Sequence, residues 1–516
     1  MDKSYWISSW IDNKKEYPKL QKEEETEIAI IGGGLTGLTT AYYLTKAGKE
    51  VILLEKDKIC NHTSGNTTAK ITSQHGLFYS YLIQSLGKSE AKQYLEANEM
   101  AIRNIANIIE EEKIKCDFEW QDAYVFTQSA QDVEKIKREV QSLGYLDYPC
   151  EFVNTIDVPI KEKQKEESDN HINVQKKVLG AIKFKNQAQF NPCLYAERLA
   201  NKIEERKGQI YEDSKVVDIK KQGDYYEIIT EEAKVKAKKV VIASHYPIIN
   251  APGFYFMKMY QVTSYLIAVE TNEPLFEGMY INSEDPTVSF RTAKYGDKRL
   301  LIVGGMDHKT GAKIDLSNSY KRLEEVAKQI YPDSKVLYRW NTEDCIPLDK
   351  IPYIGEFSNL WPNVYVGTGY KKWGMTSSNV AANIIVDKIL GKENPYEDVF
   401  KSTRLKPIKN YEELGNMLKE VSYSAIINKL EKIDEYIKDV KQGEGKIVEV
   451  EGKKVGVYRN EEGKYYAVKP YCTHLGCELS WNNLDKTWDC PCHGSRFTFE
   501  GKSIYDPSVK DLERLN

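Results

Sequence analysis

Apolar positions along the chain follow two rhythms. Ile28-Ala29-Ile30-Ile31 and Val51-Ile52-Leu53-Leu54 are short unbroken apolar runs, as strands buried on both faces require. Val240-Val241-Ile242-Ala243 and Val364-Tyr365-Val366 repeat that pattern later. Leu38 to Ala47 has helical spacing and stops at Gly48. Further helices are predicted over 88–114, 131–143, 194–206 (opened by Asn191-Pro192) and 377–390. Lys215 to Ile219 and Tyr225 to Ile229 read as strands. From Tyr260 to Val303 the period shifts toward two, which predicts antiparallel strands at 262–269, 288–291 and 300–303. Residues 1–25 are polar on average, with Trp6 and Trp10, and are expected to lie across the surface. Leu414, Met417, Leu418, Val421, Ile427, Leu430, Ile433, Ile437 and Val440 predict an amphipathic helix or helix pair over 411–440, its apolar face packed on the main body, the alternative being a membrane-surface or partner helix. Past Gln442-Gly443-Glu444-Gly445 come short strands at 447–450, 455–458 and 465–468.

The first apolar run empties into Gly32-Gly33-Gly34-Leu35-Thr36-Gly37, and the second ends at Glu55. Strand, glycine turn, helix, strand and acid in this order form a dinucleotide-binding fingerprint. Gly32 permits the tight turn, Gly34 lets backbone approach a pyrophosphate, and Gly37 lets the helix pack close to the strand. The helix N-terminus then faces the phosphates with its free N–H groups. The loop from Cys60 to Ala69 is small and polar, suited either to phosphate or flavin contacts or to a plain surface turn. Gly367-Thr368-Gly369 is a second glycine turn feeding a helix, without the full fingerprint, so a separate nicotinamide domain is not expected.

At 516 residues the chain exceeds one ordinary core. A formal charge of −4 with both signs interspersed gives no basic excess for nucleic acid. No apolar run approaches a membrane span, and the N-terminus lacks the pattern of a signal peptide. Cys60, Cys116, Cys150, Cys193 and Cys345 stand alone, as reduced thiols do, so a cytoplasmic location is expected.

The remaining four cysteines crowd near the C-terminus. Cys472-Thr473-His474-Leu475-Gly476-Cys477 is followed by Cys490-Pro491-Cys492-His493-Gly494-Ser495. Two thiolates and two imidazoles on two loops match the Rieske 2Fe–2S arrangement, with Cys472 and Cys490 on one iron and His474 and His493 on the other. The competing reading is a structural zinc site, which would need neither the extra cysteines nor the Gly-Ser tail.

This stretch resembles the Rieske proteins of cytochrome bc-type complexes. The resemblance implies a Cys477–Cys492 disulfide across the loops. It also implies a serine and a tyrosine donating to the cluster sulfurs; Ser495 matches the serine, while Phe497 stands at the tyrosine position and cannot donate. A potential in the lower or middle part of the roughly −150 to +300 mV Rieske range is therefore expected.

The front 400 or so residues resemble the D-amino-acid-oxidase-like FAD-dependent oxidoreductases, on Gly32 to Glu55, the 63–72 loop, the 240–244 strand and the 367–376 turn. Bacterial members with a C-terminal Rieske module share Gly65-Asn66-Thr67-Thr68-Ala69-Lys70, Pro347-Leu348-Asp349 with Pro352-Tyr353-Ile354-Gly355, and Lys372-Trp373-Gly374-Met375-Thr376. The implied fold is a Rossmann-like α/β FAD-binding domain (26–250 and 340–405) with an inserted antiparallel-sheet substrate domain (about 251–335). A helical linker (406–442) and a small all-β Rieske domain (443–516) would follow. The implied FAD contacts are Gly32, Gly34, Leu35, Thr36 and Gly37 at the pyrophosphate, and Glu55 with Lys56 at the adenosine ribose. Thr67, Thr68, Ala69, Val217 and Ser244 are added, with Gly369, Gly374, Met375 and Thr376 near the isoalloxazine. No residue matches the family's covalent flavin attachment points.

A flavin accepts two electrons at once and a Rieske centre carries one, so the pair is expected to convert between them. The expected reaction oxidises an amine or amino acid at its C–N bond and passes electrons through the cluster to an external acceptor. Arg291, Lys371, Trp373 and Tyr260 or Tyr265 are the candidate substrate contacts, with Arg291 read either as a carboxylate clamp or as an ordinary surface or interface salt bridge; His308 and Asp344 are weaker candidates. A noncatalytic redox sensor, or a reductase fed through the cluster, are the alternatives. A Rieske oxygenase would need a further site of two His and a carboxylate, and none is spaced for it.

Overall fold

The computed structural model describes residues 3–11, 14–160, 174, 176–404, 415 and 436–515. The expected linker and the 411–440 helix fall almost wholly outside these residues.

The first sheet is built on the fingerprint. Its main path runs Tyr353–Ser358, Trp361–Thr368, Lys234–Ile242, Glu24–Ile31, Val51–Leu54 and Gln209–Tyr211. Ile28–Ile31 pairs in parallel with Val51–Leu54 on one side and with Lys239–Ile242 on the other. The runs are unbroken because each strand has a core on both faces. Ile28, Ile30, Val51 and Leu53 join one buried cluster, while Ala29, Ile31, Ile52 and Leu54 join another. Helix Leu35–Lys46 packs against Pro192–Glu205 and Gly374–Ile389 on the first face.

The second sheet has nine strands and reaches well beyond 251–335. Its main path is Lys335–Pro347, Met259–Glu270, Lys298–Lys309, Val288–Tyr295, Met279–Asn282, Glu119–Thr127, Gly180–Gln189 and Lys70–Ile71. The chain thus enters this sheet directly from the 60–69 loop, leaves it, and returns four times. Glu119–Thr127 mixes polar and apolar positions without strict alternation, so its sequence gives a weak strand signal. The antiparallel strands expected at 262–269, 288–291 and 300–303 are present with longer ends, but both of their faces are largely buried rather than alternating.

Residues 5–10 depart from the expected surface path, while most of 14–23 is exposed or half-exposed. Tyr5–Trp10 is a short helix capped by Ser4, and Tyr5, Trp6, Ile7 and Trp10 are buried. Trp6 Nε1 donates to the Thr67 carbonyl at 2.7 Å, so this helix braces the 60–69 loop from behind. Averaging polarity over the first 25 residues hid four apolar positions within six.

The C-terminal domain holds two four-stranded antiparallel sheets. It sits on the exposed edge of the second sheet through Arg496, which is fully buried and pairs with Glu343 at 2.7 Å, Asp485 at 2.6 Å and Asp489 at 3.0 Å. Glu343 belongs to Lys335–Pro347; the other two carboxylates belong to the C-terminal domain itself. Gln261 adds hydrogen bonds to the carbonyls of His493 at 2.9 Å and Asp506 at 2.6 Å.

Candidate active site and metal centre

A large cavity opens where the glycine turn, the 60–69 loop and the second sheet meet. At the glycine turn, backbone packs directly on backbone. Gly32 has φ +110°, and a Cβ there would lie 2.5 Å from the Ala243 carbonyl. A Cβ on Gly37 would lie 1.9 Å from the Gly32 carbonyl, so helix and strand touch as the fingerprint requires. Gly34 caps the helix without a side chain, and Ser64 Oγ accepts from Leu35 N at 3.1 Å. Gly32, Gly34, Leu35, Thr36, Glu55 and Lys56 all line this cavity. Glu55 is buried and accepts from Gly33 N at 2.6 Å and Asp57 N at 3.0 Å; burial pushes its carboxyl up to about 7.

Further along, Thr67, Thr68, Ser244, Trp373, Gly374 and Met375 also line the cavity. Trp373 stacks on His75, with ring centroids 4.9 Å apart. Tyr370 bonds Thr36 at 2.9 Å, tying the late glycine turn to the early one. The turn between them is strained: Lys371 and Lys372 carry φ of 49° and 71° in succession. That conformation sends Lys372 to the cavity, where it pairs with Asp307 at 2.8 Å, and turns Lys371 away.

Several expected contacts lie elsewhere. Lys371 Nζ sits 3.4 Å over the Phe78 ring, and burial pushes it down to about 7. Arg291 is buried behind the loop and cannot clamp a substrate. Its guanidinium donates to the carbonyls of Thr68 at 3.0 Å, Ala69 at 2.7 Å and Thr292 at 3.0 Å, and covers the Trp6 ring. Ala69, at φ 55°, therefore supports the loop rather than facing the cavity. Val216 takes the wall position and Val217, its alternate neighbour on the strand, does not. Gly369 packs its backbone on Pro347 and Met259, and Thr376 Oγ1 bonds Thr72 O and His75 behind the wall. Tyr265 is in the core of the second sheet, stacked on His308.

Sequence reasoning missed Lys70 as a cavity residue, although its motif was noted. Lys70 donates to the Tyr280 carbonyl at 2.9 Å, and desolvation pushes its ammonium down to about 7. Asp344 lines the same cavity, and burial lifts its carboxyl to about 6.

The second site is compact. Cys477 and Cys492 are joined by a disulfide. The sulfurs of Cys477, Cys490 and Cys492 lie within 4.8 Å of one another, but the disulfide leaves only Cys490 of these three free to ligate. Cys472 lies against Cys490, and hydrogen bonds from Cys490 and Ser495 hold its thiol below the ordinary range. The His474 and His493 rings are 5.0 Å apart at 87°, and burial pushes both down, to about 4 and about 3, so both are neutral donors. His474 Nε2 meets Asn250 Oδ1 at 2.6 Å, while its Nδ1 is buried with no hydrogen-bond partner. A donor fixed on one ring nitrogen leaves the other for a metal. Two thiols, two neutral imidazoles and an orphaned nitrogen fit a Rieske cluster. Phe497 is fully buried and brings no hydroxyl.

The profile of the FAD dependent oxidoreductase family matches residues 27–388. The chain belongs to the FAD-dependent oxidoreductases. The oxidoreductase also carries a Rieske [2Fe-2S] domain, matched over residues 432–516. FAD and a 2Fe–2S cluster are its cofactors. The Bacillus subtilis protein YhfW, named as a Rieske 2Fe-2S iron-sulfur protein, is 37% identical over 99% of this chain and 97% of its own. Gamma-glutamylputrescine oxidoreductase of Escherichia coli is 22% identical over 76% of this chain and 90% of its own. Among solved structures, glycine oxidase from Geobacillus kaustophilus superposes with a TM-score of 0.62 at 17% identity, over 74% of this chain and 100% of its own, which shows the shared fold. Among the described residues no helix of the oxidoreductase is long and apolar enough to cross a membrane.

Proposed function

We propose that this oxidoreductase oxidises the C–N bond of an amine or amino acid and delivers the electrons to an external acceptor through its Rieske domain, in the cytoplasm. FAD, when bound, supplies two-electron acceptance, and the cluster supplies single-electron transfer. One observation carries the substrate class: the cavity presents a desolvated cation and desolvated carboxylates together. Lys70 has one hydrogen bond among the described residues, to a neutral carbonyl, which leaves ammonium protons for a substrate carboxylate. Asp344 takes the opposite role. With its carboxyl lifted to about 6, it accepts a proton from a substrate ammonium near neutral pH. Lys372 and Asp307 pair at 2.8 Å and contribute no net charge of their own to the cavity. Trp373, stacked on His75, adds an aromatic wall to the same cavity. An amino-acid zwitterion matches this set better than a neutral alcohol or a sugar.

The cysteine-and-histidine edge of the Rieske domain supports the outlet. Phe256 meets both histidine rings edge-on, and Phe254, Met257 and Leu475 beside them are exposed at 47%, 46% and 45%. An apolar rim of this kind suits contact with an electron acceptor. The test is an anaerobic screen of amines and amino acids against the purified protein, following the flavin absorbance and the cluster EPR signal together. Bleaching of flavin followed by appearance of the reduced-cluster signal supports the reading. Cluster reduction ahead of flavin, with no substrate bleaching either, sinks it.

A further inference from the structure

Strand Ser503–Tyr505 belongs to the Rieske domain, yet Tyr505 and Asp506 line the same cavity as the Gly32 turn. Tyr505 is buried. Its ring meets His62 edge-on at 5.6 Å and lies 5.9 Å from the Lys56 ammonium. Lys56 Nζ donates to the Ile504 carbonyl at 2.9 Å and pairs with Asp506 at 3.4 Å. Asp506 therefore presents a neutralised carboxylate to the cavity rather than a bare one. Gln261 holds the Asp506 carbonyl and the His493 carbonyl together, so this wall and a cluster loop share one anchor on the second sheet. The residues around Tyr505 identify which part of the cavity it closes. Lys56 directly follows Glu55 at the end of Val51–Leu54, and Lys215 lines the cavity nearby, whereas Trp373 and Lys372 belong to the turn before Gly374–Ile389. In a dinucleotide fold the end of the second strand meets the adenosine ribose.

We propose that the Rieske domain is part of the FAD site: Tyr505 and Asp506 close the cavity over the adenosine and pyrophosphate half of the dinucleotide, and bound FAD leaves only when the two domains part. The domain then has two tasks, holding the cluster and retaining the flavin. Its docking through Arg496 and Glu343 sets the rate at which FAD is lost.

The test uses the full-length holoenzyme. FAD release is followed by the rise of free-flavin fluorescence after dilution, and the cluster is followed by EPR in the same samples. Tyr505→Ala removes one aromatic wall and is expected to speed release about tenfold with the EPR signal intact. Tyr505→Phe keeps the ring and the slow release. Glu343→Gln touches neither cavity nor cluster but weakens the docking, and it is expected to speed release as well. Unchanged release in Tyr505→Ala with the cluster present overturns the proposal. If Tyr505→Ala loses its cluster, Glu343→Gln decides by the same criterion. Tyr465→Ala, exposed on the same domain, serves as the unaffected reference.

Discussion

The two cofactor sites are built in opposite ways. The proposed cluster site takes its candidate ligands and its disulfide from residues 472–493, two loops of one small domain, and side-chain chemistry defines it. The cavity proposed for the flavin takes its walls from Ile31 to Asp506, nearly the whole chain, and glycines of three separate turns or strands are among its lining residues. A site made of side chains within two loops depends on which atoms are present. A site made of backbone depends on how closely distant elements approach, so it fails through packing.

Cys490→Ser separates the two most sharply. It is expected to abolish the 2Fe–2S EPR signal entirely while the flavin spectrum persists; loss of both would mean the sites are not independent. Arg496→Met attacks what joins them. It leaves Glu343, Asp485 and Asp489 buried without their cation, an expected cost of about 3–5 kcal/mol, read as a lowered Tm at both chromophores. Gly37→Ala tests the backbone site alone. Overpacking against the Gly32 carbonyl should cost about 3 kcal/mol and yield flavin-poor protein with a normal cluster. Lys70 gives a pH signature. Its ammonium is charged below about 7 and neutral above, so affinity for an anionic substrate should fall as pH rises through that value. Lys70→Met should raise KM about tenfold at pH 6 and flatten the profile, because one charge-assisted hydrogen bond is lost. The smallest effect is expected from Phe497→Tyr, a modest rise in cluster potential from the lower or middle part of the Rieske range, measured by redox titration.

The same contrast explains what could be read from the chain. Cys472, His474, Cys490 and His493 could be proposed together because residue type and spacing are both local, and the structure brings the two loops side by side. The glycine turn was legible because strand, helix and acid surround it within 30 or so residues. Arg291 was not. A cation on a strand reads as a substrate clamp until the carbonyls of Thr68, Ala69 and Thr292 are seen to hold it behind the loop, and two of those lie over 200 residues away. Lys371 and Lys372 differ by one position, and only the left-handed turn decides which of them faces the cavity. Val217 missed by one residue for the simpler reason that strand neighbours point to opposite sides. Tyr505 carries no local signal at all, since its place in the cavity comes from domain docking.

Arg496 bears on how the molecule can work over time. A guanidinium with no solvent exposure, held by carboxylates from both domains, is not a hinge. We expect this buried ion-pair cluster to hold the iron centre at one distance from the cavity during turnover rather than let it shuttle between stations. Internal charge movement should accordingly be indifferent to solvent viscosity, and traffic with the outside must come to the cluster where it stands.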